Sequence, residues 1–133
     1  MSTFEQKTEV VRDWLERTAR KQRVTNLREV QIAAGLGLAE KGYRESGSAR
    51  PLTEDEVVAA NAVIAQQSFE QNGFLLPALQ IHFNDKKPSS RFTYWAAEAG
   101  LLDQDVAEDS EVTEALHAEQ VAKIHKHYAS VTA

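Results

Sequence analysis

The chain has 133 residues, 42% of them hydrophobic, and carries 15 basic and 20 acidic side chains for a formal net charge of −5. This length suffices for one domain with a packed core, and the absence of cysteine excludes a disulfide framework and a thiolate metal site. No apolar run approaches the roughly 20 residues that span a bilayer, and the N-terminus lacks a signal-peptide core, so we expect a cytoplasmic protein with no membrane partner.

Charge is distributed unevenly along the chain. Residues 1–50 carry 10 basic and 7 acidic side chains, net +3; residues 51–100 carry 3 and 6, net −3; residues 101–133 carry 2 and 7, net −5. Such asymmetry indicates either a basic surface for a polyanion with an acidic tail elsewhere, or the two halves of a self-complementary interface.

The first predicted helix runs from about Thr3 to Lys21. Ser2 and Glu5 have the spacing of a capping box, in which two side chains satisfy free amides at a helix start. Apolar residues then recur at helical spacing, which predicts one face against the core.

The end of this helix and the segment after it are unusually basic. Cations near a helix C-terminus are stabilised by the macrodipole by typically ~0.3–1 kcal/mol each, which accounts for one or two of them but not for five. A polyanion or an acidic partner is therefore favoured. The predicted contact residues here are Arg17, Arg20, Lys21, Arg23 and Arg28.

Two further helices are predicted after the first one. Asn26 and Glu29 have the spacing of a second capping box, and the short helix they start is expected to end at Gly35 in an Ala-Gly-Leu corner. A long loop over residues 38–51 follows. The third helix, Thr53–Asn72, has the best capping box; its Asn and Gln side chains could read adenine edges, whereas the three acids of its first turn would repel phosphates.

The segment from Asn72 to Trp95 is the only one that predicts paired strands. Leu79, Ile81 and Phe83 alternate with other residues at the period of a half-buried strand, and Arg91–Trp95 is rich in aromatic and β-branched residues. Turn formers and charges lie between them, so we expect a β-hairpin with a basic tip. The candidate contact residues at the tip are Lys86, Lys87, Ser89, Ser90 and Arg91.

The C-terminal part of the chain is acidic. Residues 98–119 contain eight Asp or Glu residues and no Lys or Arg. Residues 103–110 are expected to form a linker before a final helix that ends near Tyr128, which divides the chain into a domain at 1–102 and an acidic segment at 103–133. The acids are either a solvated face or an arm that covers a basic surface, on a partner or on this molecule's own first helix.

No constellation of residues nominates a catalytic, metal or cofactor site. The four histidines include no HExxH, no phosphate-binding loop of the GxxxxGK[ST] type is present, and no serine has a histidine nearby in sequence. We expect a protein that is not an enzyme and has no cofactor and no bound metal.

The predicted order is helix, short extended piece, helix, loop, helix, strand, basic turn, strand and tail helix. Over roughly residues 3–95 this order, with AAGL in the second helix and NDKKPSSR at the tip, resembles a winged helix. The resemblance implies an α+β, mostly α fold with a three-helix core, a β-hairpin and a C-terminal helix. It also implies a DNA-binding module in which the third helix reads DNA and the wing touches phosphate; the acidic start of the third helix departs from that pattern.

Two functions follow as expectations. The first is a small non-enzymatic regulator that binds nucleic acid, duplex DNA in particular, through the first-helix cations and the wing, with the final helix as a homodimer surface. The second is an adaptor or inhibitor, including a DNA-mimicking decoy, that uses the acidic C-terminal segment to grip a basic protein partner.

Overall fold

Five α-helices and one turn of 3₁₀-helix make up the described chain. The computed structural model describes residues 2–44, 49–103 and 110–131. The predominantly helical character is confirmed, and none of the helices in these ranges has the length and apolar character that a membrane span requires. The elements are α1 (Phe4–Arg20), α2 (Leu27–Glu40), α3 (Glu54–Asn72), a 3₁₀ turn (Leu76–Leu79), α4 (Ser90–Glu98) and α5 (Ser110–Val131).

The predicted β-hairpin is not formed, so the α+β assignment is wrong. Among the described residues, strand pairing is limited to two isolated bridges: Thr25 pairs with Gln80 in parallel, and Ile81 pairs with Pro88 in antiparallel. The sequence alternation misleads because every residue from Phe74 to Gln80 is buried, whereas a half-buried strand would expose every second one. The chain here crosses the core as a short 3₁₀ turn enclosed by helices.

The segment predicted as the second strand is helix α4. Phe92, Trp95 and Ala96 are three and four positions apart, so they lie on one helix face, and all three are buried. The Ser89 side chain caps this helix by accepting a hydrogen bond from the Arg91 amide at 3.3 Å. The helical spacing of the buried residues thus outweighs the β propensity of the aromatic ones, and the predicted winged-helix order fails at both strands.

The start of α1 has the predicted kind of cap, shifted by one residue. Thr3 is the N-cap: its hydroxyl accepts from the Gln6 amide at 3.1 Å, and the Gln6 side chain accepts from the Thr3 amide at 2.9 Å. Ser2, which was expected to cap, instead donates to the Tyr43 carbonyl at 3.2 Å. The hydroxyl of Ser2 therefore links the start of the chain to the segment after α2.

Helix α2 continues through Gly35, where the sequence predicted its end. A Cβ atom at Gly35 would lie 2.2 Å from the backbone oxygen of Arg50, so the glycine lets the segment before α3 cross the helix in direct backbone contact. Gln31 fixes this crossing, because its carbonyl accepts from the Leu52 amide at 3.0 Å and its side chain donates to the Leu52 carbonyl at 2.9 Å. Gly35 therefore allows the segment before α3 to pack closely on α2, and it does not end the helix.

Helix α3 has the predicted capping box and is tied to α1 by an ion pair. Thr53 and Glu56 form the box, and Gly73 closes the helix in the left-handed conformation at φ 76°. The Lys7 ammonium lies 2.6 Å from a Glu56 carboxylate oxygen. This contact, with the hydrogen bonds to Thr53, lowers the pKa of Glu56 to about 2.

Helix α5 packs on the same core as the other helices. Ile124 is fully buried, the Gln120 side-chain oxygen accepts from the Leu75 amide at 2.8 Å, and His117 donates to the Ala78 carbonyl at 2.7 Å. Burial lowers the pKa of His117. The buried side of α5 packs within the chain; the predicted homodimer through this helix and the predicted division into two units both stay predictions.

The close crossing at Gly35 gives a stability prediction. Alanine in a helix interior is normally about 1 kcal/mol more favourable than glycine, but here the added methyl group meets backbone that must move. We expect Gly35→Ala to lower the free energy of unfolding by about 1–3 kcal/mol in urea titrations followed by tryptophan fluorescence. Gly37→Ala is the matched control, because its methyl group would meet only the Val10 side chain, at 3.2 Å, and no backbone. Equal stability of the two variants would contradict the close approach.

The ion pair between α1 and α3 gives a pH prediction. Glu56→Gln keeps an acceptor for the capping box and removes the charge, so at pH 7 we expect a loss of about 1 kcal/mol in the free energy of unfolding. The pKa of Glu56 is lowered on folding, from 4.5 to about 2, so the wild-type advantage should be complete above pH 4.5 and shrink as the pH falls towards 2. Urea titrations at several pH values measure the difference. Asp55→Asn, which removes one carboxylate from the same turn of α3, is the control for the general loss of an acid at this helix start.

Candidate nucleic-acid interface

Three of the predicted contact residues meet at one small pocket. Arg17 and Lys21 are four positions apart and lie on the same side of the end of α1, and Arg23 joins them after the turn that follows. The pocket has a volume of about 90 Å³. We call it the α1 pocket; it is lined by Trp14, Arg17, Thr18, Lys21, Arg23, Val24 and Glu29.

The turn that brings Arg23 back to α1 is held by a left-handed residue and by α5. Gln22 has φ 59°, and the Arg23 amide donates to the Thr18 carbonyl at 3.1 Å. The Gln22 side chain donates to the carbonyls of Ala19 and His125, at 2.9 and 2.8 Å, and the His125 ring donates to the Arg23 carbonyl at 2.9 Å. Hydrogen bonds to α5 therefore hold this turn in place, and the side chain of Arg23 remains exposed.

A chain of hydrogen bonds through Thr25 connects two residues in the wall of the pocket, Trp14 and Glu29. The Trp14 indole N–H donates to the Thr25 hydroxyl at 3.0 Å, and that hydroxyl donates to a Glu29 carboxylate oxygen at 2.9 Å. One carboxylate oxygen of the pocket is thus already occupied by Thr25. The wall is fixed by side chains from α1, α2 and the extended residue between them.

The balance of charge in the α1 pocket favours an anion. The end of α1 carries the negative end of the helix dipole, equivalent to about half an elementary charge, and Glu29 adds one negative charge. The three positive charges of Arg17, Lys21 and Arg23 exceed these two negative contributions. Within the described part of the chain, the ion pairs use Lys7, Lys41 and Lys123, and none uses a cation of the α1 pocket. At about 90 Å³ the pocket is well below the roughly 300 Å³ at which pockets for drug-sized ligands begin, and its size suits a single phosphate group.

The other two predicted cations of this region lie elsewhere. Arg20 faces α5, with its guanidinium carbon 5.9 Å from the centroid of the Tyr128 ring. Burial, then the nearby Glu16 carboxylate that accepts from its hydroxyl at 3.1 Å, raise the pKa of Tyr128 to about 12. Arg28 is exposed in the first turn of α2 and does not line the α1 pocket. The five cations therefore divide into a group of three and two separate residues.

The predicted hairpin tip is a basic loop without a hairpin. We use the name basic loop for residues 82–91. Its turn is closed by two backbone hydrogen bonds, from the His82 amide to the Lys87 carbonyl at 2.9 Å and from the Lys86 amide to the His82 carbonyl at 3.1 Å. Lys87 and Arg91 are exposed, whereas the Ser89 oxygen is used to cap α4, and Ser90 is the first residue of that helix. Its cations are thus presented from a turn and a helix start.

The sequence reasoning missed Phe83. It was expected to face the core with Leu79 and Ile81, yet 70% of its surface is exposed. The Lys86 ammonium lies 5.4 Å from the centroid of its ring. The signal that could have found it is local: Phe83 directly precedes the turn formers and charges of residues 84–87, where the chain leaves the core.

The basic loop and the start of α2 leave the core side by side. The Thr25 amide donates to the Leu79 carbonyl and the Ile81 amide to the Thr25 carbonyl, each at 2.8 Å. Because this bridge is parallel, the segments that follow it run in the same direction. Arg28 in the first turn of α2 and the basic loop are therefore placed at one end of the bridge, with the α1 pocket beside Thr25.

A search for metal sites and comparisons with known proteins also bear on function. Within the described ranges, no group of three or more His, Asp or Glu residues is placed to hold a metal ion. Comparisons with known proteins give no matching family model, no matching curated protein and no matching solved structure. The function is therefore inferred from the charges and the geometry of this chain.

Proposed function

We propose that this protein binds nucleic acid through its phosphates and acts as a small regulator without a catalytic step. The observation that carries the proposal is the meeting of Arg17, Lys21 and Arg23 around one pocket of about 90 Å³, with none of them engaged in an ion pair within the described chain. Solvent-exposed guanidinium and ammonium groups that converge in this way bind phosphate oxygens in water.

A polyanion suits the surface better than a single small anion does. The α1 pocket supplies one cluster, the basic loop supplies Lys86, Lys87 and Arg91, and the parallel bridge at Thr25 places the loop near the start of α2. We therefore expect a ligand with regularly spaced phosphates to contact both clusters. The net charge of −5 for the whole chain does not oppose this, because local charge is what a bound strand experiences within a Debye length of roughly 8–10 Å.

Salt dependence is the direct test of the α1 pocket. A phosphate contact made by Lys or Arg contributes about one unit to the slope of log affinity against log salt. We expect a labelled DNA duplex, followed by fluorescence anisotropy between ~50 and ~200 mM salt, to bind wild type with a steep slope. Arg17→Gln combined with Lys21→Gln should reduce that slope by about two units.

A matched control removes the same formal charge from cations that are already paired. Lys41 lies 3.2 Å from an Asp13 carboxylate oxygen and Lys123 lies 3.7 Å from a Glu119 carboxylate oxygen. Lys41→Gln combined with Lys123→Gln should leave the slope within half a unit of wild type. Equal effects of the two double variants would show that only net charge matters, and absence of binding at ~50 mM salt would reject the proposal.

The basic loop is tested separately. We expect Lys86→Ala combined with Lys87→Ala to weaken duplex binding and to reduce the salt slope by one to two units, because both side chains are exposed. Stability should change little, since neither side chain is buried. Unchanged binding would remove the loop from the interface and leave the α1 pocket in place.

A second candidate function, an adaptor for a basic partner, is favoured by a groove between α3 and α4. The groove has a volume of about 500 Å³, contains Phe69 and the half-exposed Tyr94, and has Glu70 and Glu98 among its lining residues. Its apolar floor and acidic side chains suit an amphipathic segment with basic flanks. Binding of a basic amphipathic peptide that is lost in Glu70→Lys combined with Glu98→Lys, without any duplex binding, would favour this function over the first.

A further inference from the structure

Phe83 is exposed in a part of the chain that is otherwise tightly fixed. Its side chain is 70% exposed, more than any other large hydrophobic residue of the described chain. The residues before it are buried as far as Gln80, and the antiparallel bridge between Ile81 and Pro88 closes the loop behind it. Burial of a phenylalanine ring is favourable, so hydrophobic packing within the chain does not account for its exposed position.

The surroundings of the ring are cationic. Lys86 has φ 60°, an uncommon conformation for a residue with a side chain, and its ammonium lies 5.4 Å from the centroid of the Phe83 ring. The Asp85 carboxylate accepts from the Lys87 amide at 3.0 Å, so the one acid of this turn is used to hold its backbone. The turn therefore presents a flat aromatic ring with the Lys86 ammonium beside it and the exposed Lys87 next in the chain.

We propose that Phe83 stacks on an unpaired base while the surrounding cations hold the adjacent phosphates, so that the preferred ligand is single-stranded nucleic acid. This inference rests on the proposed function. A flat ring beside a track of cations is the combination that proteins use for single strands, because every base has a π face and every nucleotide has a phosphate. A regular duplex keeps its bases stacked on one another and offers no face to the ring.

The same residues fit other partners less well. An anionic membrane would also attract the cations, but shallow insertion needs a broad apolar face, and here one ring projects from a polar turn. A protein partner would be expected to bury a contiguous apolar patch, and the neighbours of Phe83 in sequence on both sides, His82 and Asn84, are polar and exposed.

The experiment compares a single-stranded oligonucleotide with its duplex and with an abasic strand of the same length. We expect wild type to bind the single strand more tightly than the duplex, and Phe83→Leu, which keeps apolar volume but loses the flat ring, to weaken single-strand binding by about 5- to 150-fold. Phe83→Tyr should retain it. On the abasic strand, which keeps every phosphate and lacks the bases, wild type and Phe83→Leu should bind equally.

Controls separate stacking from other effects. Tyr94→Leu removes another exposed aromatic ring, 58% exposed on α4, and should leave single-strand binding unchanged. Urea titrations should give the same stability for all variants, because neither ring is buried.

The remaining outcomes contradict either the stacking of Phe83 on a base or the proposed function as a whole. A loss confined to the duplex would identify Phe83 as a wedge between base pairs, and binding to phosphatidylcholine–phosphatidylserine vesicles that depends on Phe83, without an effect on oligonucleotides, would identify a membrane contact. Either result, or unchanged binding by Phe83→Leu, overturns stacking while salt-dependent binding of DNA still supports the proposed function. Failure of wild type to bind any of these probes at low salt overturns both.

Discussion

The structure depends on the burial of a seven-residue segment, Phe74 to Gln80, that is neither a full helix nor a strand. A buried backbone amide or carbonyl without a partner costs about 1–3 kcal/mol, so such a segment can cross a core only if other elements supply its hydrogen bonds. Two helices, α3 and α5, and the residue between α1 and α2 do so, through backbone or side-chain groups. The partners of its backbone groups are Thr25, Ser68, His117 and Gln120, and Asn61 donates to the side-chain oxygen of Gln80.

The same hydrogen bonds position the candidate interface. Thr25 pairs by its backbone with the buried segment and by its hydroxyl with Trp14 and Glu29, so it links the centre of the core to the wall of the α1 pocket. On the far side of the bridge the chain emerges as the basic loop. The backbone that carries both clusters of cations is therefore anchored to one buried element, so under the proposed function binding would require little ordering of the backbone.

Sequence reasoning succeeded where local signals decide the structure. The capping box at Thr53 and Glu56 and the helical spacing in α1, α3 and α5 depend on residues within one or two turns of helix, and these helices appear as predicted apart from shifts of up to three residues at the ends. Helical spacing alone also predicts the division of the basic cluster, because Arg17 and Lys21 are four positions apart while Arg20 lies on another face of the same helix.

The sequence-based predictions were wrong where contacts between residues distant in the chain decide the structure. Period-two alternation at Leu79, Ile81 and Phe83 is a weak signal over five positions, and the hydrogen bonds that enclose the segment come from residues far away in the chain. The pattern around Gly35 failed for a related reason. Glycine ends many helices, but this one is needed for a crossing by Arg50, a contact that the local sequence does not encode.

The replacement of the hairpin by a turn and a helix changes how the basic loop can act. A wing is a ribbon attached at one end, and its tip can bend towards a duplex. The basic loop is instead held at Ile81 by the bridge to Pro88 and at Ser89 by the start of α4, with α4 itself anchored by the buried Phe92 and Trp95. Between two fixed ends the loop has little freedom to follow a groove. Under the proposed function the ligand would have to conform to the loop, and a flexible single strand conforms at a lower deformation energy than a stiff duplex.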